Sequence, residues 1–166
     1  MGQNFNDTFV VFDLETTGFS AEVDRIIEIG AVKIKNGEIV DNFSKFVNPK
    51  IPIPFRIEKL TGINDSMVME AEPIEKILPE FLEFCGDAVM VAHNAGFDTS
   101  FIINNAERLG IKYDPTIMDT VLLAQFVIPN LHNYKLDTLC KHLAVSLENH
   151  HRAVDDAQAT AYIYLK

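Results

Sequence analysis

The chain lacks several features that would assign it quickly to a protein class. Tryptophan is absent, and the 166 residues include only two cysteines, Cys85 and Cys140, without a Cys-x-x-Cys spacing. We therefore expect buried free thiols rather than a disulfide or a thiolate metal site. No apolar run approaches the roughly 20 residues of a membrane-spanning helix, and the start lacks the basic and apolar segments of a leader. These absences predict a soluble cytoplasmic protein with no membrane partner.

Positive charge is also in short supply. Lys and Arg number 14 against 24 Asp and Glu, which gives a formal net charge of −10. A protein that binds long duplex nucleic acid through its phosphates needs a basic surface. An excess of ten acids provides no such surface overall, which argues against this kind of binding. Any nucleic-acid contact must be local or assisted. Most of the acids are expected to be solvated, and only those in apolar surroundings carry a functional argument.

Hydrophobic residues are plentiful, at 48%, and no repeat or linker divides the chain, which predicts one domain over residues 1–166. Strand patterns cover residues 8–12, 26–34, 39–47, 88–92 and 116–118. Helical patterns cover residues 74–85, 97–109, 120–127, 136–143 and 153 to the end, with a short helix stopped by Gly62. Asn36-Gly37 predicts a hairpin turn. The order predicts an α/β fold with a mixed five-stranded sheet, an antiparallel meander then parallel strands, flanked by helices.

Two acids follow the first strand pattern. Asp13 and Glu15 alternate with Leu14, so both carboxylates point to the same side, roughly 6.6 Å apart along the strand. Two repelling charges at the end of an apolar strand are costly unless a cation or hydrogen-bond donors compensate, which favours a divalent metal. The alternative is that both carboxylates cap the turn at residues 16–18.

A further acid, Asp98, follows the strand pattern at 88–92. It falls in the first turn of a predicted helix, where the helix dipole favours an anion whatever its function. It also shares a helical stripe with Phe101, Ile102 and Asn105. This stripe predicts that Asp98 faces inward at the edge of the sheet.

The last polar segment covers residues 150–157. Helical periodicity places Asp156 on the apolar face of the final helix and Asp155 on its polar face. His151 lies five residues before Asp156, which is about 140° around a helix, so we expect it on the loop before the helix. His150 is a competing candidate. A structural or solvated role is the alternative for either histidine.

Three segments, in this order, resemble the motifs of the DEDDh 3′→5′ exonucleases, which are DnaQ-like and have a ribonuclease H-like fold. They read D-L-E-T-T-G, H-N-A-G-F-D and H-R-A-V-D-D-A-x-x-T. The resemblance runs from Asp7 to Lys166. Softer features, I-I-E-I-G-A-V-K and H-H-R-A, are most similar to the exonuclease domain of PolC-type DNA polymerase III. Free-standing ε-like subunits and helicase-linked exonucleases remain alternatives. The last helical pattern runs to Lys166 without a stop, as in a domain excised from a longer chain.

The resemblance implies a catalytic centre of Asp13, Glu15, Asp98, Asp156 and His151. The four acids would hold two Mg²⁺ or Mn²⁺ ions, and His151 would take the proton from the attacking water. The implied reaction removes nucleoside 5′-monophosphates from single-stranded DNA 3′ ends, as in proofreading by a bacterial replicative polymerase. Rival hypotheses are an exonuclease acting on RNA or oligoribonucleotides, and a metal-binding interaction module.

The resemblance also implies substrate-binding residues. Thr16 would meet the terminal 3′-hydroxyl, while Leu14, Phe97 and the turn at Thr61 would border the terminal base. The alternative is that Leu14 and Phe97 are simply core. Asp119 also ends a strand pattern, but its position favours a helix cap.

Overall fold

The computed structural model describes residues 8–147 and 150–165. Within these residues, no helix combines the length and apolar character needed to cross a membrane. The predicted lack of a leader concerns residues 1–7, and the predicted unstopped end concerns Lys166. Both lie outside the described residues.

The described strands form one sheet in the order β3-β2-β1-β4-β5. Their bounds are β1 Thr8–Thr16, β2 Ile26–Lys35, β3 Glu38–Phe46, β4 Val89–Ala92 and β5 Ile117–Asp119. β1, β2 and β3 pair antiparallel, whereas β4 pairs parallel with both β1 and β5. This confirms the predicted mixed five-stranded sheet. β1 is its central strand, where the antiparallel and parallel parts meet.

β1 is longer than the sequence pattern predicts. Beyond the apolar pattern of residues 8–12 it continues through the two predicted acids to Thr16, because its pairing with β2 extends past Glu15, which lies opposite Glu28. The two acids therefore belong to the strand itself. The hairpin prediction is confirmed: Asn36 and Gly37 have φ of 53° and 78°, the positive values that a two-residue type I′ turn requires.

Seven helices are described. Their bounds are α1 Phe55–Thr61, α2 Asp65–Val68, α3 Ile74–Cys85, α4 Ala95–Arg108, α5 Thr120–Val127, α6 Leu136–Leu143 and α7 Ala153–Leu165. Gly62 ends α1 in the left-handed region, as predicted. The sequence gives no sign of α2, because four residues are too short to show a helical period.

The helices cover both faces of the sheet. α3 and α4 cover one face, around Phe12, Phe81 and Phe101, and the α7 residue Ala161 packs on the other, beside Val11. α7 comes very close to the sheet at Gly30, where an added Cβ would overlap the backbone of residues 153–154. This glycine therefore sets how closely α7 approaches β2. Both cysteines are buried and free, as predicted.

Candidate active site

Asp13 and Glu15 lie on the face of the sheet that α7 covers. In the β1–β2 register, Asp13 lies opposite Gly30 and Glu15 opposite Glu28. Leu14, between them, points the other way and packs into the core beneath α3 and α4. The strand alternation thus places both carboxylates on one side of β1, as the sequence predicts, and the structure places the start of α7 over that side.

Asp156 joins these two acids from the first turn of α7. Its side chain is buried, and one ligand oxygen each of Asp13, Glu15 and Asp156 lies within 4.8 Å of the others. The prediction that Asp156 rather than Asp155 faces inward agrees with this burial. The fold thus brings an acid from the end of the chain to two acids near its start.

Asp98 approaches the same group from α4. Asp98 is only 2% exposed, and the stripe residues Phe101 and Ile102 are 0% and 1% exposed. Burial and then the charge of Asp98 raise the pKa of Asp13, while a hydrogen bond with the backbone of Leu14 acts to lower the pKa of both carboxylates. All four predicted acids therefore converge, although Asp98 is not part of the group of three whose ligand oxygens lie within 4.8 Å of one another.

Burial makes these carboxylates hard to ionise together. The pKa of Asp13 is raised by burial first and then by the charges of Asp98 and Glu15. Burial and the charge of Asp156 raise the pKa of Glu15 to about 9. Burial also raises the pKa of Asp98 and of Asp156. A cluster made only of carboxylate oxygens is the donor set that hard divalent cations take, so these residues fit a divalent metal.

His150 and His151 lie beside Asp156, before α7 begins. The backbone N–H of His151 donates to Asp156 Oδ2 at 3.0 Å, and His150 Nδ1 lies 2.8 Å from Asp156 Oδ1. The two imidazoles stack with ring centroids 3.8 Å apart. Burial and then the neighbouring His150 lower the pKa of His151. His151 precedes the helix, with φ of 71°, as its spacing from Asp156 predicts.

The residues predicted to bind substrate differ in burial. The Thr16 and Thr61 side chains are buried and donate to Gly18 O and Ile57 O, at 2.6 and 2.8 Å. Leu14 is buried in the core, which favours the alternative interpretation of its side chain. Phe97 is half-buried and remains a prediction for the terminal base.

Asp119 caps α5, as predicted. Its carboxylate accepts from Val121 N at 2.9 Å and also from the backbone N–H groups of Asn94 and Ala95. These bonds tie the end of β5 to the start of α4. They help to fix the helix that carries Asp98.

Sequence reasoning missed Glu28. This β2 residue is 1% exposed and accepts hydrogen bonds from Arg152 and from Ala153 N. Its only signal in the sequence is one acid within the apolar strand I-I-E-I-G-A-V-K.

Comparison with known families gives a direct match. The profile of the exonuclease (RNase T) family matches residues 10–164. The chain belongs to this family. The match confirms the predicted enzyme class, a 3′→5′ exonuclease.

Among individual proteins, DNA polymerase III PolC-type of Clostridium perfringens is 55% identical over 161 residues. The match covers 97% of this chain but only 11% of that polymerase, so this chain spans about a tenth of its relative. The predicted similarity to PolC-type exonuclease domains is thereby confirmed.

Solved structures agree on the fold. The structure of exonuclease X in complex with 5′ overhanging duplex DNA has a TM-score of 0.76 and 28% identity, with 95% of this chain and 89% of that chain covered. The nuclease domain of 3′hExo, a DEDDh family member bound to rAMP, has a TM-score of 0.84, 20% identity and coverage of 99% and 92%. The second likeness supports the ribonuclease H-like fold alone.

Proposed function

We propose that residues 1–166 form one domain that removes nucleotides from single-stranded DNA 3′ ends in a metal-dependent reaction. The observation that carries this proposal is the convergence of four carboxylates beside the loop that bears His151: Asp98 and Asp156 are buried, and Asp13 and Glu15 are half-buried. Structural acids are rarely buried together without cationic partners, because each raises the cost of ionising the next. A site for divalent cations accounts for the arrangement.

The donor set suits two Mg²⁺ or Mn²⁺ ions. Asp13, Glu15 and Asp156 would hold one ion, and Asp13 with Asp98 would hold the second. Two such ions would lower the pKa of the attacking water and stabilise the charge that develops on the leaving 3′ oxygen. The protein must hold these carboxylates in place, and the sheet and the first turns of α4 and α7 do so.

His151 is suited to accept the proton of the attacking water. Its lowered pKa keeps the imidazole neutral near pH 7, so a ring nitrogen is free of the second proton and can act as a base. Its backbone N–H is anchored on Asp156, which places the imidazole close to the acids.

The surroundings of the site suit a few nucleotides rather than a long duplex. A cleft of about 810 Å³ beside His151 is lined by His93, Tyr134 and Lys135, and Lys135 provides a local positive charge for a phosphate. Phe97, which precedes Asp98 in α4, is half-buried and packs against the exposed Phe19. Bases can stack on such rings without many phosphate contacts, which reconciles DNA binding with a net charge of −10.

The polymerase relatives indicate the setting. Because the matched segment forms 11% of a PolC-type polymerase, we propose that this domain proofreads for a bacterial replicative polymerase in the cytoplasm. The rest of such a polymerase would supply the basic surface that this domain lacks.

The test is digestion of a 5′-labelled single-stranded DNA oligomer, with Mg²⁺ or Mn²⁺ and with EDTA. We expect a ladder that shortens from the 3′ end only with metal, and no ladder from Asp13→Ala. Asp155→Ala is the matched control. Digestion that persists in EDTA or in Asp13→Ala would contradict the proposal.

A matched RNA oligomer tests the rival substrate. The rival is favoured by one observation: a solved structure with the same fold holds rAMP. Faster digestion of RNA than of DNA would overturn the DNA assignment and leave the rest of the mechanism in place.

A further inference from the structure

Glu28 is a buried carboxylate that the proposed reaction does not use. It lies opposite Glu15 in the β1–β2 register and is 1% exposed. Its Oε1 accepts from Ala153 N at 2.6 Å, and its Oε2 accepts from Arg152 Nη2 at 2.8 Å and Nε at 3.2 Å. A buried carboxylate is costly unless it is held by such donors. These bonds occupy both oxygens of Glu28.

The contacts of Glu28 fall on the first residues of α7. Ala153 is the first residue of this helix, so its N–H has no partner within the helix. Glu28 on β2 supplies the acceptor for this N–H and places a negative charge at the positive end of the helix dipole. Arg152 O then accepts from Asp156 N at 3.0 Å. Glu28 and Asp156 are therefore linked through one helical turn.

We infer that Glu28 is a positioning residue that holds Asp156 in register with Asp13 and Glu15. The inference rests on the proposed metal site. β1 and β2 fix Glu15 and Glu28 side by side, and Glu28 fixes the start of α7, so one strand pair sets the spacing between the β1 ligands and Asp156. Mg²⁺ demands near-ideal octahedral geometry, so a small displacement of one carboxylate weakens binding.

Two further contacts support this assignment. The guanidinium of Arg152 lies 5.1 Å from the ring centroid of Phe46 on β3, so the arginine is held by both β2 and β3. At Gly30, two residues along β2 from Glu28, the backbone of α7 comes too close for any side chain. The close approach at Gly30 thus sets the distance between α7 and the sheet, and the hydrogen bonds of Glu28 set the position of the first residues of α7 along β2.

The test measures Mn²⁺ binding directly, by the loss of the electron paramagnetic resonance signal of free Mn²⁺, on folded Glu28→Gln protein. In this variant the amide oxygen can accept from Ala153 N, but the NH₂ group then faces the Arg152 guanidinium. Both groups are donors, so the hydrogen bond to Arg152 is lost. We expect Mn²⁺ affinity to fall by about 10- to 100-fold, as for other residues that orient metal ligands. Glu80→Gln is the matched control, because it removes the partner of Lys45 in an exposed pair with N···O of 3.6 Å. It should leave Mn²⁺ affinity unchanged.

A second variant, Arg152→Gln, keeps the bond from Ala153 to Glu28 and should weaken Mn²⁺ binding less than Glu28→Gln. The double variant, Glu28→Gln with Arg152→Gln, should recover part of the lost Mn²⁺ affinity, because the two side-chain amides can hydrogen-bond to each other. If Glu28→Gln melts at a lower temperature but binds Mn²⁺ like the unmodified protein, Glu28 is only a structural brace and the inference is overturned. If Glu28→Gln does not fold, Arg152→Gln decides: weakened binding supports the inference and unchanged affinity overturns it.

The outcome is independent of the DNA substrate. If the unmodified protein binds Mn²⁺ but cleaves no DNA, the proposed function fails while the comparison of Mn²⁺ affinities still tests Glu28.

Discussion

The candidate site joins two regions that are built in different ways. Asp13 and Glu15 lie within the central strand, where backbone pairing with β2 fixes both side chains on one face. His151 and Asp156 lie where a loop enters α7, and hydrogen bonds to the remote residue Glu28 hold that junction. The strand half of the site is therefore set by local geometry, and the loop–helix half by tertiary contacts.

This difference explains how the two halves respond to change. A strand acid cannot shift far to compensate for a lost ligand, because its backbone is held in the ladder with β2. The loop–helix half depends on several weaker contacts, so we expect graded losses there.

Asp13→Ala should have the largest effect. Loss of a ligand shared by both proposed ions should reduce DNA cleavage by about 10⁴-fold or more, equivalent to about 5 kcal/mol of barrier. Folding should survive, because the change relieves repulsion with Asp98 and Glu15. Single-turnover cleavage and the melting temperature in EDTA check both parts. A fully active Asp13→Ala protein would refute the importance of the strand half.

His151→Ala should be less damaging than Asp13→Ala. Removal of a general base reduces turnover by about 10²- to 10⁴-fold. Mn²⁺ binding should be retained, because the Asp156 carboxylate still accepts the backbone N–H of residue 151. Rates and Mn²⁺ titrations on the same protein separate the two effects.

His150→Ala is the neighbouring control for that change. Although His150 contacts Asp156 in the structure, we expect a smaller loss of rate from its removal. If His150→Ala is the more damaging variant, the base is assigned to the wrong histidine.

The metal-free protein should lose stability as pH rises. The pKa of Glu15 is raised from 4.5 to about 9, so between these values the folded state holds a proton that the unfolded state releases. The free energy of unfolding then falls as pH rises through this window. Melting temperatures in EDTA should show the fall, and Glu15→Gln should flatten it. An equal slope in both proteins would contradict the raised pKa.

Asp155→Ala should have the smallest effect. Its side chain lies on the polar face of α7, whereas Asp156 faces the acids. We expect cleavage and melting temperature close to those of the unmodified protein, with Asp156→Ala as the matched inactive variant. Comparable losses from both would show that the helix is rotated relative to the structure.

The parts of the site that follow local periodicity could be predicted from the sequence. The alternation of β1 places Asp13 and Glu15 together, and the helical period assigns inward faces to Asp98 and Asp156. The remaining contacts have no local period. Glu28 and Ala153 are 125 residues apart, and His150 reaches Asp156 across the start of a helix. Such pairs form only when the fold brings their elements together.

The fold shows the same limit. The five strands and the hairpin turn follow from apolar patterns and from Asn36-Gly37, but the order of the strands in the sheet and the end of β1 at Thr16 do not. Polar residues such as Glu15 and Thr16 end the apolar pattern, while pairing with β2 carries the strand on to Thr16. Tertiary pairing, rather than composition, decides that boundary.

The most direct test of the account is digestion of a single-stranded DNA oligomer in ¹⁸O-labelled water with Mn²⁺, followed by mass spectrometry of the released nucleotides. Attack by water on the phosphorus should yield nucleoside 5′-monophosphates that carry one ¹⁸O, beginning with the 3′-terminal nucleotide, and Asp13→Ala should yield none. Products with 3′-phosphates, or intact DNA despite bound Mn²⁺, would contradict the assignment of this site as a 3′→5′ DNA exonuclease.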